Sequence, residues 1–287
     1  MREFKDKVAV ITGAASGIGL GIAGRCVREG MRVVLADVEE GALNKAQKEL
    51  AALGGNVLPV LTDVSKAGDV TRLAEKTLEC FGAVHLLCNN AGVSGAEGSI
   101  WEVSLADWEW AVGVNLWGVI HGLRTFVPIM LDQKTEGHIV NTASTAGILP
   151  YHPGVTYHVT KHAVVALSEN LYRTLAQQEA KIKTSVLCPG FVKTRILSSA
   201  RNLPEESRAG STAGQLNVEA EEAAWAFLEK EFKVLTPDQV ADSVFSAVRE
   251  EKFYILTHPE FNDAVKKWME GIIQEKNPET ARLSFRK

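Results

Sequence analysis

Residues 7–19, Lys7-Val-Ala-Val-Ile-Thr-Gly-Ala-Ala-Ser-Gly-Ile-Gly19, join a short apolar run to a glycine-rich turn. The β-branched run at 8–12 predicts a buried strand, and the periodic residues that follow the turn predict a helix. Glycines at 13, 17 and 19 permit a tight turn and let the backbone approach a pyrophosphate, which the helix N-terminus can bind. The turn is a weak signal alone, because many strand–helix junctions use glycine only for packing.

Apolar runs continue to alternate with helical periodicity along the rest of the chain. Strands are predicted at 8–12, 32–36, 57–61, 86–89, 138–142, 184–188 and 253–256, and helices near 18–30, 40–53, 67–81, 105–132, 158–179 and 237–250. Such alternation is typical of a parallel sheet covered by helices on both faces. We therefore predict an α/β fold with a doubly wound parallel sheet of about seven strands. No linker or internal repeat is found, which predicts a single domain over 1–287.

One long stretch interrupts this alternation. Residues 195–235 contain no predicted strand, are rich in Ser, Gly and Asn around 209–217, and include Trp225, Phe227 and Leu228 in an amphipathic piece. Because it follows the carboxyl end of a strand, we predict a helical substrate lid; a loosely packed surface insertion is the alternative. Residues 276–287 are predicted to form a polar tail.

Composition narrows the class of protein. With 287 residues, 46% hydrophobic and 23% charged, the chain has the make-up of a soluble globular enzyme. A net charge of -4 without a basic run argues against a nucleic-acid partner, and no apolar run approaches the ~20 residues that span a bilayer. The early first strand leaves no room for a signal peptide, so we expect a cytoplasmic location. The four cysteines are expected to be free, and neither they nor the histidines have metal-ligand spacing.

Asp37 directly follows the second predicted strand and lies eighteen residues after Gly19. A carboxylate here can accept hydrogen bonds from adenosine ribose hydroxyls and would repel a 2′-phosphate. Its alternative role is to cap the helix near 40. Because no Arg or Lys lies in the glycine turn or just after Asp37, NAD is predicted in preference to NADP.

Polar residues also end the next two strands. Asp63-Val64 follows the third strand and Asn89-Asn-Ala-Gly92 ends the fourth. The carboxyl ends of strands in such a sheet line its ligand crevice, although each motif alone could be a plain turn.

Tyr157 and Lys161 lie four residues apart, and Ser144 precedes the tyrosine by thirteen residues. In a helix this spacing places the phenol and the ammonium on one face. A neighbouring cation favours the phenolate, which would make the tyrosine useful for proton transfer. The pair is weak evidence by itself, because this spacing occurs by chance in many helices.

Taken together, these motifs resemble the short-chain dehydrogenase/reductase family, in its shorter subfamily. The matching segments are TGAASGIG at 12–19, NNAG at 89–92, Asn115, Ser144, YHVTK at 157–161 and PGFVKT at 189–194, in the family's order and spacing. The resemblance covers roughly residues 5–195 in detail. It implies a Rossmann-type fold, an NAD(P)-dependent interconversion of an alcohol and a ketone, and a homodimer or homotetramer.

The resemblance also implies residue roles. Tyr157 would be the general acid/base, Lys161 would bind the nicotinamide ribose and lower the proton affinity of the tyrosine, and Ser144 would orient the substrate oxygen. Asn115 would anchor a water that leads from Lys161 to solvent, although a helical Asn can also bond a main-chain carbonyl and bend the helix. The predicted cofactor-binding set is Gly13, Ser16, Gly17, Ile18, Gly19, Asp37, Asp63, Val64, Asn90, Ala91, Gly92, Tyr157, Lys161, Pro189, Gly190, Val192 and Thr194. The predicted substrate-binding set is Ser144, Ala146, Tyr157 and Phe191.

The predicted substrate pocket is mostly apolar. Besides that set it includes Ile148, Leu149, Tyr151 and the lid, with Arg195 as the one basic exception. We therefore expect a mid-sized apolar or aromatic secondary alcohol or ketone. The alternatives are an NADP-dependent reductase of a thioester-linked ketone and a non-catalytic nucleotide-binding regulator. Intact Ser144, Tyr157 and Lys161 count against the regulator.

Overall fold

A computed structural model describes residues 1–149, 154–208, 211, 213–214 and 217–278. Its central element is a parallel sheet of seven strands in the order β3-β2-β1-β4-β5-β6-β7. The strands are β1 Val8–Thr12, β2 Arg32–Asp37, β3 Asn56–Leu61, β4 Leu86–Asn89, β5 Gly137–Thr142, β6 Ile182–Cys188 and β7 Tyr254–Leu256. All seven predicted strands are confirmed, with ends displaced by at most two residues.

The helices are α1 Gly17–Arg28, α2 Glu40–Ala52, α3 Ala67–Phe81, α4 Leu105–Val112, α5 Gly118–Asp132, α6 Val155–Gln177, α7 Glu205–Arg208, α8 Val218–Glu231, α9 Pro237–Glu250 and α10 Asn262–Ile273. Short 3₁₀ turns lie at Thr145–Gly147, Ser199–Asn202 and Pro259–Phe261, and a π-helical turn at Gly113–Trp117 joins α4 to α5. The helix α10 was not predicted. None of its residues is buried.

The core lies on both faces of the sheet, because side chains alternate along each strand. On β1, Ala9 and Ile11 pack with buried residues of α1, α2 and α9. Val8 and Val10 face the other way and pack with residues of α3, α5 and α6. This two-sided burial confirms the predicted doubly wound α/β fold.

One continuous helical stretch, Leu105–Asp132, is long and apolar enough by length and composition to cross a bilayer. The same stretch contributes Val119, Leu123 and Phe126 to the core beside the sheet, which accounts for its apolar character.

The sheet reverses its direction of growth at β1 and β4, which are neighbours although β2 and β3 lie between them in sequence. Loops that leave the two strands therefore diverge and open a crevice at the carboxyl edge. The free cysteines Cys26, Cys88 and Cys188 are buried in strands or helices, and Cys80 is exposed.

Candidate active site

The glycine turn forms one wall of a cleft at this edge. Gly13 (φ +63°) and Gly17 (φ +54°) adopt left-handed backbone conformations, and a Cβ at Gly13 would lie 2.8 Å from Ala91 Cα. The side chain of Ser16 makes no capping hydrogen bond to α1, which leaves the first-turn N–H groups for another acceptor. Gly19 has a different role, because a Cβ there would lie 2.1 Å from Gly13 O. It packs the turn against the helix and does not line the cleft.

Asp37 closes the cleft beside this turn. Its Oδ2 accepts a hydrogen bond from Ala15 N (2.9 Å) and its Oδ1 accepts one from Glu39 N (3.0 Å). Burial raises the pKa of the carboxyl, although these backbone N–H bonds act in the opposite direction. The alternative role as a helix cap is not found, because the residue that precedes α2 is Glu39.

Asn90 fastens the glycine turn to the neighbouring strands. Its Nδ2 donates to Thr12 O (3.0 Å), and its Oδ1 accepts from Thr142 Oγ1 (3.3 Å). Its backbone N donates to Thr12 Oγ1 (2.9 Å). The asparagine thus fixes the ends of β1, β4 and β5 relative to one another at the base of the cleft.

Ser144, Tyr157 and Lys161 come together at the other end of the cleft. Ser144 Oγ accepts a hydrogen bond from Ala146 N (3.1 Å) and is hydrogen-bonded to the Tyr157 phenol. Lys161 Nζ donates to Thr142 O (2.9 Å) and lies 5.5 Å from the centre of the Tyr157 ring. Helix α6 places the phenol and the ammonium one turn apart, as its i, i+4 spacing predicts.

Burial sets the protonation of this pair. It raises the pKa of Tyr157 above its ordinary value, and the hydrogen bond with Ser144 only partly opposes this. Burial also lowers the pKa of Lys161 to about 8. In the protein alone, burial is the largest influence on the pKa of Tyr157. The effect of Lys161 on the proton affinity of the tyrosine stays a prediction. At neutral pH the phenol is in its proton-donating form.

Asn115 lies fully buried in the π-helical turn. Its Oδ1 accepts from Val93 N (2.8 Å), and its Nδ2 donates to Val93 O (3.0 Å) and Thr160 Oγ1 (3.2 Å). The structural role that the sequence left open is thus present. A Cβ at Gly92 would lie 3.3 Å from both Asn115 Oδ1 and Lys161 Nζ, so both polar groups converge on that glycine.

The loop after β6 lines the cleft through Pro189, Gly190, Val192 and Thr194. It is held by His258, a residue that the sequence did not single out. His258 Nδ1 accepts from Gly190 N (3.1 Å), and its Nε2 lies 3.1 Å from Phe191 O. A lone buried histidine 68 residues away in sequence offers no motif by which to find it.

The substrate end of the cleft is apolar. Phe191 lines it, together with Trp225 and Leu228 of α8, which belong to the predicted lid. Trp110 of α4 and Val114 of the π-helical turn also line it, and the sequence did not place them there. Ala146 is fully buried beneath Ser144, which corrects the prediction that it contacts the substrate. Leu149 is also buried away from the cleft, and Tyr151 lies outside the described residues.

Every predicted cofactor-binding residue except Gly19 lines this one cleft. The geometry fits a dinucleotide, because a glycine cradle and helix N-terminus lie between the Asp37 carboxyl at one end and the Tyr157 phenol at the other. Among the described residues, no group of three or more His, Cys, Asp or Glu side chains is placed to hold a metal ion.

Comparison with known proteins gives concordant matches. A family model for short chain dehydrogenases matches residues 7–204. A crystal structure of a short chain dehydrogenase/reductase from Burkholderia phymatum in complex with NAD has a TM-score of 0.89 and 46% identity, covering 98% of this chain and 99% of that one. The CLA biosynthesis dehydrogenase/reductase of Lactiplantibacillus plantarum is 36% identical over 280 residues, which is 97% of each chain. The 1-deoxy-11-beta-hydroxypentalenate dehydrogenase of Streptomyces avermitilis is 34% identical over 260 residues, 89% of this chain and 86% of that protein.

Proposed function

The chain belongs to the short-chain dehydrogenase/reductase family of NAD(P)-dependent oxidoreductases, and we propose that it is an NAD-dependent enzyme that interconverts a secondary alcohol and a ketone. The observation that carries this proposal is the convergence of Ser144, Tyr157 and Lys161 at one end of a cleft that Asp37 closes at the other.

The residues at the first end perform the proton chemistry. In ketone reduction the Tyr157 hydroxyl donates its proton to the substrate oxygen, and in alcohol oxidation the phenolate takes that proton back. Ser144 donates a hydrogen bond to the same oxygen, which carries partial negative charge in the transition state. Lys161 uses one of its three N–H donors on Thr142 O and can present the others to ribose hydroxyls. A bound nicotinamide cofactor supplies or accepts the hydride.

The preference for NAD rests on Asp37. Its carboxyl keeps lone pairs for ribose hydroxyls beyond the two backbone bonds, and a phosphate beside it would meet a like charge. The Burkholderia phymatum structure, which has NAD bound, supports the same choice.

The substrate is proposed to be mid-sized and apolar or aromatic. Trp110, Phe191 and Trp225 give the pocket three aromatic walls, and the arginines closest to it are engaged by Glu39. A reductase of thioester-linked ketones would need free cations near the pocket mouth. The related Streptomyces avermitilis dehydrogenase, named for a hydroxylated pentalenate, supports a substrate of this size.

We also propose a homodimer or homotetramer in the cytoplasm. Trp117, Val159 and Tyr172 are nearly half exposed in or near α5 and α6, where a second copy would cover them. The acidic net charge and ordinary composition support the proposed location.

Replacing Tyr157 by Phe tests the chemistry. We expect turnover to fall at least about 100-fold, because the proton donor is lost, while NADH binding followed by fluorescence changes little. Tyr254→Phe, at an exposed tyrosine of β7 that does not line the cleft, is the matched control and should retain activity. Turnover within a few-fold of the wild type in Tyr157→Phe would refute the assignment.

A further inference from the structure

Glu39 lies two residues beyond Asp37 and is held by the lid. Its Oε1 accepts from Arg201 Nε (3.0 Å), Arg201 Nη2 (2.6 Å) and Asn202 Nδ2 (3.0 Å), and its Oε2 lies 3.3 Å from Arg195 Nη1. We call these four residues the Glu39 cluster. Burial by itself would raise the pKa of Glu39, but the bonds from Arg201 and Asn202 and the two positive charges outweigh it and lower that pKa. The carboxylate is therefore ionised at neutral pH.

The Glu39 cluster borders the place where an adenosine ribose would lie. Glu39 N donates to Asp37 Oδ1, which ties the Asp37 carboxylate to the backbone of Glu39. Asp37 and the members of the Glu39 cluster all line the cleft. Of the described residues that line it, only Arg195, Arg201 and the distant Lys161 are basic.

Arg201 is anchored independently of Glu39. Its Nη1 donates to Arg195 O (2.9 Å) and Ser198 O (2.9 Å), whereas its Nε and Nη2 edge is turned to Glu39. Without the Glu39 charge, that edge would keep its position and lose its anionic partner. A guanidinium edge with two parallel N–H groups is the geometry that binds phosphate most strongly.

We propose that Glu39 is a second determinant of cofactor choice: it engages Arg201, which would otherwise bind the 2′-phosphate of NADP. This inference rests on the proposed function. Asp37 excludes the phosphate by repulsion, and Glu39 excludes it both by repulsion and by engaging Arg201. It follows that removing Asp37 alone leaves NADP poorly bound, because the cations remain neutralised.

The test compares wild type, Asp37→Ser, Glu39→Gln, the Asp37→Ser/Glu39→Gln double variant and that double variant with Arg201→Gln. Dissociation constants for NADH and NADPH are measured by fluorescence without substrate. The quantity compared is the ratio of the two constants, because any loosening of the lid by Glu39→Gln weakens both cofactors alike. Asp37→Asn repeats the series with a side chain that keeps the acceptor for Ala15 N.

We expect the double variant to favour NADPH at least about tenfold more than Asp37→Ser does, a gain equal to one charge-assisted interaction. Arg201→Gln should abolish that gain. The inference is overturned if the double variant favours NADPH no more than Asp37→Ser does, or if the gain survives Arg201→Gln. In either case, NADH binding by the wild type leaves the proposed function intact. Wild-type protein that binds neither cofactor would overturn the proposed function itself.

Discussion

Lys161 is a buried ammonium in a site that has little to stabilise its charge. It is 3% exposed, and its described hydrogen bond goes to a neutral carbonyl, Thr142 O. Desolvation therefore lowers its pKa to about 8 from an ordinary 10.5. The lysine is held in place for its role in the site at a cost in stability, a common feature of functional residues.

Removal of this lysine should change how stability depends on pH. Between pH 8 and 10.5 the unfolded chain binds more protons at Lys161 than the folded one, so this group makes stability rise with pH. The unfolding free energy of the wild type relative to Lys161→Met should thus increase across that window, by roughly 3 kcal/mol in full. Urea unfolding of the cofactor-free proteins at several pH values measures it.

The exposed Lys48→Met variant serves as the control for loss of one positive charge. Groups far from Lys161 titrate alike in both members of each comparison and cancel. Tyr157→Phe in every protein compared removes the phenol that lies beside Lys161. Parallel curves for wild type and Lys161→Met from pH 8 upward would show that the lysine does not carry the lowered pKa.

At the scale of elements, the sequence predicted the features that depend on residues close together in the chain. Strand bounds follow β-branched runs, and the Tyr157–Lys161 geometry follows helical spacing, so both could be inferred from sequence. The π-helical turn at Gly113–Trp117 could not, because it depends on Asn115 bonding Val93 across 22 residues of chain. Helix α10 was not predicted either, and none of its residues is buried.

His258 shows how one element can position another. It is 1% exposed after β7, and it holds the Gly190-Phe191 peptide region that follows β6 through both ring nitrogens. Because Nδ1 accepts from Gly190 N, Nε2 carries the proton and donates to Phe191 O. Burial lowers its pKa, which keeps the ring neutral and able to accept at Nδ1.

His258→Gln should therefore impair the nicotinamide end of the cleft alone. We expect kcat to fall about tenfold and NAD to bind more weakly, because the loop that carries Val192 and Thr194 loses a fixed position. ADP-ribose, which lacks the nicotinamide, should bind as it does to the wild type in calorimetry. Equal weakening of both ligands would indicate general structural damage and contradict a positioning role.

Across the whole molecule, the segment 195–235, which we propose to be a substrate lid, connects parts of the chain that are far apart in sequence. Ser199 Oγ accepts from Ser94 N (2.9 Å), Arg201 binds Glu39 across 162 residues, and Ser211 Oγ donates to the Asp107 carboxylate. A long connection of unusual composition could be recognised from the sequence. Its path could not, because each contact pairs a single lid residue with a single distant partner.

The Ser211–Asp107 contact leads to a prediction about how this part of the segment 195–235 is attached. Asp107 is fully buried at the start of α4, and Leu203 and Ala213 of the lid pack nearby with Trp110 and Val93. A hydroxyl that donates to a buried carboxylate contributes about 1.5–3 kcal/mol. Ser211→Ala should release this part of the lid, raise the KM for the alcohol several-fold and speed trypsin cleavage after Arg208, while the NADH dissociation constant stays unchanged.

Ser207→Ala, in the same segment, controls for the loss of a hydroxyl. Because the Glu39 cluster stays intact in both variants, the lid should open at its substrate end and remain closed over the adenosine end. An increase in the NADH dissociation constant that matches the increase in KM would mean that the lid moves as one rigid unit, contrary to the two separate attachments inferred from these contacts.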